Sequence, residues 1–430
     1  MLDPRHPYAN RVTRSECIQG QGREMFSRYR AIGIQPDLPR EILEISDAGL
    51  EDVLTRDGAR TDAGMQGAAL DRVIALEDHL ARLYPAYRIV EREQLGPDAG
   101  ATRGSTTKAA GYGRPLRIVL EDTTGKQLEL VWRVGTANEF GHDRRADRAA
   151  NALLAFEDFV NIPRHIVALD VGAIGRDGKL VSLRDADELY LLTNYARGSL
   201  YAGDLRELAR SGVASERDLA RANALARYLA KLHVPLSDPA RYRRAIRDLV
   251  GHGEGIFGII DGYPPDVPGA SPERLHAIEL RCVEWRRRLR HHEGRLVRTH
   301  GDFHPFNIVF SDDTQFTLLD ASRGTCGDPA DDVVALAINY LLFALDAPAA
   351  WARGLGRLWH ELWRTYATER PDASLLACVP PYLAWRALVV CNPVFYPELS
   401  REARAALLGL VEASLEAGHF DPKWADELFT

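Results

Sequence analysis

The stretch "HGDFHPFN", residues 300–307, places side chains that move protons and bind metal ions at close spacing. Asp302 follows a glycine on a predicted tight loop, where a carboxylate can orient a hydroxyl group and accept its proton. Five positions later, the amide oxygen of Asn307 can bind Mg²⁺, a cation that prefers oxygen ligands. Asp320 ends the return strand of a predicted hairpin, which would place it beside Asn307 as an anionic ligand. One acid for a hydroxyl and an Asn–Asp pair for the metal suit phosphoryl transfer.

Two other interpretations of this stretch are open. His300, Asp302 and His304 have a spacing that can support zinc and a hydrolytic reaction. That interpretation leaves Asn307 and Asp320 without a role. The stretch can also be a polar turn between two strands, although turns rarely need two His, an Asp and an Asn so close together.

The pattern of apolar residues along the chain predicts an α+β protein in three segments. Residues 1–86 are predicted to form a helical extension whose best helix stops before Pro85. Residues 87–194 are expected to form an antiparallel sheet with one helix, and the period-two pattern of "LELVWRV" is typical of its strands. Further strands are expected at "HIVALDV" and "ELYLLTN". Residues 195–430 are predicted to be mainly helical, with a hairpin built from "NIVF" and "FTLLD".

Composition excludes several classes of protein. The 430 residues are 46% hydrophobic and 27% charged, as in an ordinary globular protein, and a net charge of -7 gives no footprint for nucleic acid. The five cysteines are scattered, which favours a reducing compartment. The N-terminus shows no secretory signal. The longest apolar run, "VVALAINYLLFAL", is too short to span a bilayer and predicts a buried helix. We therefore expect a soluble cytoplasmic protein.

The motifs "HGDFHPFN" and "LLDASRG" resemble the catalytic and metal-binding segments of the aminoglycoside phosphotransferase and choline kinase-like family. "YLAKLH" and "GDPADDVVAL" resemble the segments that precede and follow them. The resemblance implies a two-lobed protein-kinase-like fold, with a small antiparallel-sheet N-lobe, a larger helical C-lobe and, here, an N-terminal helical extension. It implies that Asp302 is the catalytic acid/base residue and that Asn307 and Asp320 hold Mg²⁺. It also implies that His300 fixes the loop and that Asp332 accepts backbone hydrogen bonds from it.

The same resemblance places the nucleotide in the sheet segment. A Gly-rich loop between the first two strands would cover the phosphates, although a flexible hairpin loop has a similar composition. Arg133 stands where protein kinases have a phosphate-pairing Lys, and Asp147 would be its acidic partner, with Glu157 or a plain solvated helix face as the alternatives. "LTNYARG" resembles the hinge that receives adenine, with an ordinary linker as the alternative. The residues expected to contact the nucleotide are Gly104, Ser105, Thr106, Arg133, Asn194, Tyr195 and Ala196.

The predicted function is therefore transfer of the γ-phosphate of ATP or GTP, with Mg²⁺, to a hydroxyl group of a small molecule. The partners are a nucleoside triphosphate and a hydroxylated small molecule, with no nucleic acid and no membrane. A nucleotide-binding pseudokinase or regulatory module is the alternative, motivated by Arg133 and the irregular Gly-rich loop. The acceptor is open among sugars, nucleosides, antibiotics, amino alcohols and hydroxy-amino acids. Candidates for its pocket, or simply for the core, are Tyr382, Trp385, Phe395 and Tyr396.

Overall fold

The structure is a computed structural model. It describes residues 76–95, 115–138, 140–321 and 323–430. The chain divides into two compact units, of which the first ends at Asp187 and the second comprises Glu188–Thr430. Each unit has its own hydrophobic core. Residues 1–75, most of the predicted N-terminal extension, lie outside the described residues, and the predicted segment boundaries stay predictions.

The first unit is organised around an antiparallel sheet with strand order β1-β2-β3. The central strand β2 buries Ile118 and Leu120 against Leu76 and Leu80 of the preceding helix α1. The helix that was predicted to stop before Pro85 and the strands of this sheet are therefore confirmed. The elements are α1 (residues 76–83), β1 (Tyr87–Gln94), β2 (Leu116–Asp122), β3 (Gln127–Trp132), α2 (Arg145–Asp158), β4 (Gly172–Ile174) and β5 (Leu180–Ser182).

The two further strands predicted at residues 165–171 and 188–194 are wrong, since neither range contains a strand. A short antiparallel hairpin of β4 and β5 forms instead. Its turn contains Gly178 at a φ of +82°, and the Asp177 carboxylate accepts a hydrogen bond of 3.1 Å from the backbone N–H of Lys179. An Asp-Gly turn of this kind is a strong local hairpin signal. This turn, and not the apolar pattern of residues 165–171, determines where the two strands form.

The second unit is mainly helical, as predicted. The predicted Ser215–Asp218 capping pair is confirmed, because each side chain accepts a hydrogen bond from the backbone N–H of the other. None of the helices in the described segments combines the length and apolarity that a bilayer span requires. The elements are β6 (Ser199–Leu200), α3 (Tyr201–Ser211), α4 (Glu216–Leu232), α5 (Pro239–Gly251), α6 (Ile256–Asp261), α7 (Pro272–Leu289), β7 (Val297–Arg298), β8 (Ile308–Phe310), β9 (Phe316–Leu318), β10 (Cys326–Gly327), α8 (Pro329–Leu345), α9 (Gly356–Glu369), α10 (Leu375–Cys391) and α11 (Arg401–Ala417).

Helix α8 runs through the core of this unit, and nearly all of its residues are buried. It contains the long apolar run of the sequence, so the predicted buried helix is confirmed. The polar Asn339 within it donates a hydrogen bond of 2.8 Å to the carbonyl oxygen of Ala335, which satisfies its amide in the apolar surroundings. The helix therefore holds the residues of its first turn in a fixed position within the core.

The predicted hairpin is formed by β8 and β9, with Ile308 opposite Leu318. It begins directly after Asn307 and ends two residues before Asp320, so both residues lie at the same end of the hairpin. Strand β6 pairs with the other edge of β8. Gly198 precedes β6 at a φ of +142°, and a Cβ atom there would lie 2.1 Å from the carbonyl oxygen of Phe310. Only glycine permits this approach.

A buried arginine holds the tip of the hairpin. Arg221 of α4 is 1% exposed, pairs with Asp204 and stacks over the ring of Phe310 at 4.1 Å. Its guanidinium also donates to the carbonyl oxygens of Asp313 at 2.9 Å and Asp312 at 3.0 Å. A buried cation is tolerated when its donors are used in this way. Arg221 therefore connects the hairpin to the helical core.

We expect Arg221→Met to lower the free energy of unfolding of the second unit by about 3 kcal/mol, because it leaves Asp204 and two carbonyl groups without their donor. Arg217 is the matched control, since it also reaches the hairpin tip from α4 but is 56% exposed in its pair with Asp313. Arg217→Ala should cost less than about 1 kcal/mol. Chemical denaturation followed by tryptophan fluorescence measures both, and equal losses would contradict the anchoring role.

Candidate active site

The loop between β7 and β8 carries Asp302, and its backbone requires a glycine. Gly301 has a φ of +82°, and a Cβ atom on it would lie 2.8 Å from the carbonyl oxygen of Gly324. Any other residue would be strained and would collide with backbone. The tight loop that was predicted around Asp302 is therefore confirmed, and it holds the Asp302 side chain in a buried position.

Asp332, in the first turn of α8, fixes this loop through its backbone. Its carboxylate oxygens accept hydrogen bonds from the N–H groups of His300 at 2.7 Å and Gly301 at 2.8 Å. His233 donates to the same carboxylate from Nε2 at 3.2 Å and accepts from the hydroxyl of Tyr366 at 2.6 Å. The predicted role of Asp332 as an acceptor for the loop backbone is confirmed. Charge-assisted bonds of this kind are strong in a buried site.

Both histidines of the motif are used within the loop. Nδ1 of His300 accepts from the N–H of Asp302 at 3.3 Å, and its ring packs edge-on against Phe303. Nδ1 of His304 accepts from the N–H of Phe306, so its proton lies on Nε2, which is 3.3 Å from Oδ2 of Asp302. Within the described ranges, no three His, Cys, Asp or Glu side chains are grouped to hold a metal. The zinc interpretation therefore has no support from the geometry.

Asn307 and Asp320 lie next to each other and to the loop. The Asn307 amide donates from Nδ2 to the carbonyl oxygen of Asp302 at 3.1 Å and lies 3.5 Å from that of Asp320. With Nδ2 facing the loop, Oδ1 is the atom that can serve a cation. Asp320 is exposed, and its φ of +42° is rare for a residue with a side chain. The amide and the carboxylate of these two residues are ligand types that fit Mg²⁺, which usually takes one or two protein ligands together with substrate phosphates.

Two arginines contact the opposite oxygen of the Asp302 carboxylate. Oδ1 accepts from Arg323 at 2.5 Å and from Arg386 of α10 at 2.8 Å. Arg386 also donates to Asp331 at 2.9 Å, so it bridges the loop and the N-terminus of α8. Both guanidinium groups stack on the indole of Trp385, at 4.8 Å for Arg323 and 4.0 Å for Arg386. Asp302 is thus held between a polar side at Oδ2 and a cationic side at Oδ1.

These contacts decide the charge of the buried groups. Burial alone would raise the pKa of the Asp302 carboxyl, but the hydrogen bond from His304 and the charges of Arg386 and Arg323 hold that pKa well below its usual range. Burial would lower the pKa of the Arg386 guanidinium, but Asp331 and Asp302 raise it. For Asp331, burial prevails over the charge of Arg386 and raises the pKa. Asp302 is therefore a carboxylate at any ordinary pH.

The residues predicted to contact the nucleotide are not all described. Gly104, Ser105 and Thr106 lie outside the described residues. Arg133 is exposed directly after β3, while Asp147 accepts a hydrogen bond of 2.8 Å from the backbone N–H of Arg144 at the start of α2. Asn194, Tyr195 and Ala196 belong to the second unit and precede β6 without regular structure. Their roles in nucleotide binding stay predictions.

Sequence reasoning did not identify Arg323, Arg386 and Asp331 as members of the site. Arg323 stands in the quoted "LLDASRG", and Asp331 adjoins the predicted Asp332. Arg386 lies 84 positions after Asp302, and no spacing links the two. Its signal is a lone charge in the otherwise apolar helix "LLACVPPYLAWRALVVC", because arginine is rarely buried unless it is paired. Of the aromatic candidates, Tyr382 and Trp385 are buried, whereas Phe395 is 54% exposed.

Comparison with known proteins adds to this geometry. A profile of the phosphotransferase enzyme family matches residues 68–371, and no curated protein has a detectable match. Among solved structures, a glucosamine kinase in complex with glucosamine, ADP and inorganic phosphate is 18% identical, with a TM-score of 0.37. The match covers 50% of this chain and 61% of that chain.

Two further solved structures are similar over more of the chain. The aminoglycoside phosphotransferase APH(4)-Ia, as a thermostable mutant, is 14% identical over 80% of this chain and 99% of its own, with a TM-score of 0.34. The choline kinase LicA from Streptococcus pneumoniae is 12% identical over 80% and 98%, with a TM-score of 0.29. The family match covers well over half of the chain, and it confirms both the resemblance carried by "HGDFHPFN" and the protein-kinase-like α+β fold. The chain belongs to the phosphotransferase enzyme family.

Proposed function

We propose that this protein is a kinase that transfers the γ-phosphate of ATP, or of GTP, to a hydroxyl group of a small molecule. The observation that carries the proposal is the convergence of Asp302, Asn307 and Asp320 at one end of the β8–β9 hairpin. One carboxylate on the loop and an Asn–Asp pair beside it are the parts that phosphoryl transfer requires. Membership of the phosphotransferase enzyme family supports the same reaction class.

In the proposed reaction, the acceptor oxygen forms a bond to the γ-phosphorus, and the bond from that phosphorus to the bridging oxygen of the leaving diphosphate breaks. The hydroxyl proton passes to the Asp302 carboxylate. Asn307 and Asp320 would hold Mg²⁺, which supplies charge neutralisation on the phosphates when it is bound. His304 keeps Oδ2 of Asp302 oriented through its Nε2–H group.

The electrostatics of Asp302 favour an orienting role over that of a strong base. Its pKa is held well below the usual range, so it accepts a proton weakly and remains ionised. In a loose phosphoryl-transfer transition state, the hydroxyl keeps its proton until late, and positioning contributes more than basicity. The Asp332 carboxylate accepts hydrogen bonds from the backbone of His300 and Gly301 and so fixes the loop, which keeps Asp302 in position.

Asp302→Asn should lower the slow hydrolysis of Mg·ATP without acceptor by at least ~10²-fold, since water then takes the place of the hydroxyl and loses the carboxylate that orients it and accepts its proton. Binding of Mg·ATP should stay similar, because the metal ligands are intact. Release of ADP in a coupled assay measures the rate, and calorimetric titration measures binding.

Hydrolysis at the wild-type rate in Asp302→Asn would remove Asp302 from the reaction. A wild-type protein that binds Mg·ATP tightly but never releases ADP, with any of the acceptors tried, would favour the pseudokinase alternative. Asp312→Asn serves as the control, because Asp312 is an exposed acid at the tip of the same hairpin.

Asp320→Ala should weaken nucleotide binding at least tenfold when Mg²⁺ is present and change it little when Mg²⁺ is absent, because only the metal-mediated part of binding is removed. Asp312→Ala removes the same charge from the same hairpin and should change neither. Titration with ATP, with and without Mg²⁺, measures the effect. An Asp320→Ala protein with unchanged Mg²⁺ dependence would contradict the metal role.

A further inference from the structure

The cationic side of Asp302 has a feature that phosphoryl transfer by itself does not require. Two guanidinium groups contact one oxygen of the carboxylate that is proposed to accept the hydroxyl proton. Arg386 alone, which also binds Asp331, can orient this carboxylate. Arg323, the second and more exposed arginine, can therefore bind another ligand as well.

The two arginines differ in how firmly they are held. Arg386 is 8% exposed and bridges Asp302 and Asp331, whereas the bond to the carbonyl oxygen of Gly301 at 3.3 Å is made by both arginines. Arg323 is 27% exposed, and its counter-ion Glu254, 3.3 Å from Nε, is 60% exposed. Exposed ion pairs are weak and are readily exchanged for another anion. The Glu254 partner of Arg323 can therefore be exchanged for the anionic group of a ligand.

The stacking on Trp385 keeps the guanidinium plane of Arg323 in place. The indole is buried, donates to the carbonyl oxygen of Glu254 at 2.8 Å and supports both arginines on its ring. A planar guanidinium held in this way is suited to a bidentate bond with a carboxylate or phosphate. The site is thus pre-organised for an oxyanion next to the proton acceptor.

The cationic side is distinct from the side of the metal ligands. Asn307 and His304 approach Asp302 through its carbonyl oxygen and Oδ2, whereas Arg323 and Arg386 approach through Oδ1. An anion on Arg323 would therefore lie on the side of Asp302 away from the residues assigned to the metal and the nucleotide phosphates. The hydroxyl of the same molecule would then lie between Asp302 and the γ-phosphate, as in-line transfer requires.

We propose that the acceptor carries a carboxylate or phosphate group in addition to its hydroxyl, and that Arg323 binds this group. The inference rests on the proposed kinase function and narrows its substrate class to hydroxylated anions. Binding of the anion replaces Glu254 as the partner of Arg323, while Arg386 continues to orient Asp302.

The test compares acids with neutral alcohols of the same carbon skeleton. The pairs are gluconate with sorbitol, glycerate with glycerol, and glycerol phosphate with glycerol, titrated calorimetrically with Mg²⁺ and a non-hydrolysable ATP analogue at saturation. We expect at least one acid to bind tenfold or more tightly than its neutral partner. Arg323→Gln should weaken that binding at least tenfold, and Arg323→Lys, which keeps the charge but not the planar fork, should weaken it less.

Two more variants complete the test: one is expected to strengthen binding of the acid, and the other to leave it unchanged. Glu254→Gln removes the competing anion of Arg323 and should strengthen binding of the acid severalfold. Arg364→Gln, which changes an exposed arginine paired with Glu361 elsewhere in the same unit, should have no effect. If Arg323 had only a structural role, substitutions of Arg323 and of Glu254 would not change acid binding in opposite directions.

The inference is overturned if no acid binds more tightly than its neutral partner, or if Arg323→Gln binds the acid as the wild type does. It is also overturned if the nucleotide analogue displaces the acid, since Arg323 would then serve the nucleotide phosphates. Mg²⁺-dependent binding of the analogue, measured in the same samples, separates the two proposals. If that binding is absent, the kinase function itself fails; if it is present without preference for acids, only the substrate class is wrong.

Discussion

The site depends on one electrostatic constraint: the Asp302 carboxylate is buried and must nevertheless stay ionised. Removing a carboxylate from water favours its neutral form, and only neighbouring donors and cations can reverse that preference. Here, His304 acts on one oxygen, and Arg386 with Arg323 acts on the other. The loop, the hairpin and helices α8 and α10 are arranged so that these groups meet at one carboxylate.

The N-terminus of α8 is the structural centre of that arrangement. Asp328 caps the helix through the N–H of Ala330 and pairs with Arg295, while Asp332 holds the backbone of the loop that carries Asp302. Asp331, between them, binds Arg386. Acidic groups are favoured in the first turn of a helix. Three acids within five positions therefore perform three tasks, namely capping, holding the loop and positioning a cation.

The sequence predicted the residues whose type suggests chemistry and missed the charged partners Arg323, Asp331 and Arg386. Asp302, Asn307 and Asp320 belong to two short motifs whose residue types suggest their chemistry, and the hairpin that brings them together was readable from its strands. Arg386 comes from a helix far along the chain, where no local pattern indicates what it contacts. The strand predicted at residues 165–171 failed because alternation of apolar residues does not specify a partner, whereas the turn at Asp177 and Gly178 does.

A crystal structure with Mn²⁺ and a non-hydrolysable ATP analogue would show whether Asn307 and Asp320 hold the metal, because the anomalous signal of manganese locates the metal independently of the density for its ligands. We expect a metal ion within about 2.0–2.2 Å of side-chain oxygens of both Asn307 and Asp320. We also expect the γ-phosphate to face the Asp302 loop. A nucleotide bound with its metal on other residues, or with its phosphates directed away from Asp302, would rule out the proposed roles of these three residues.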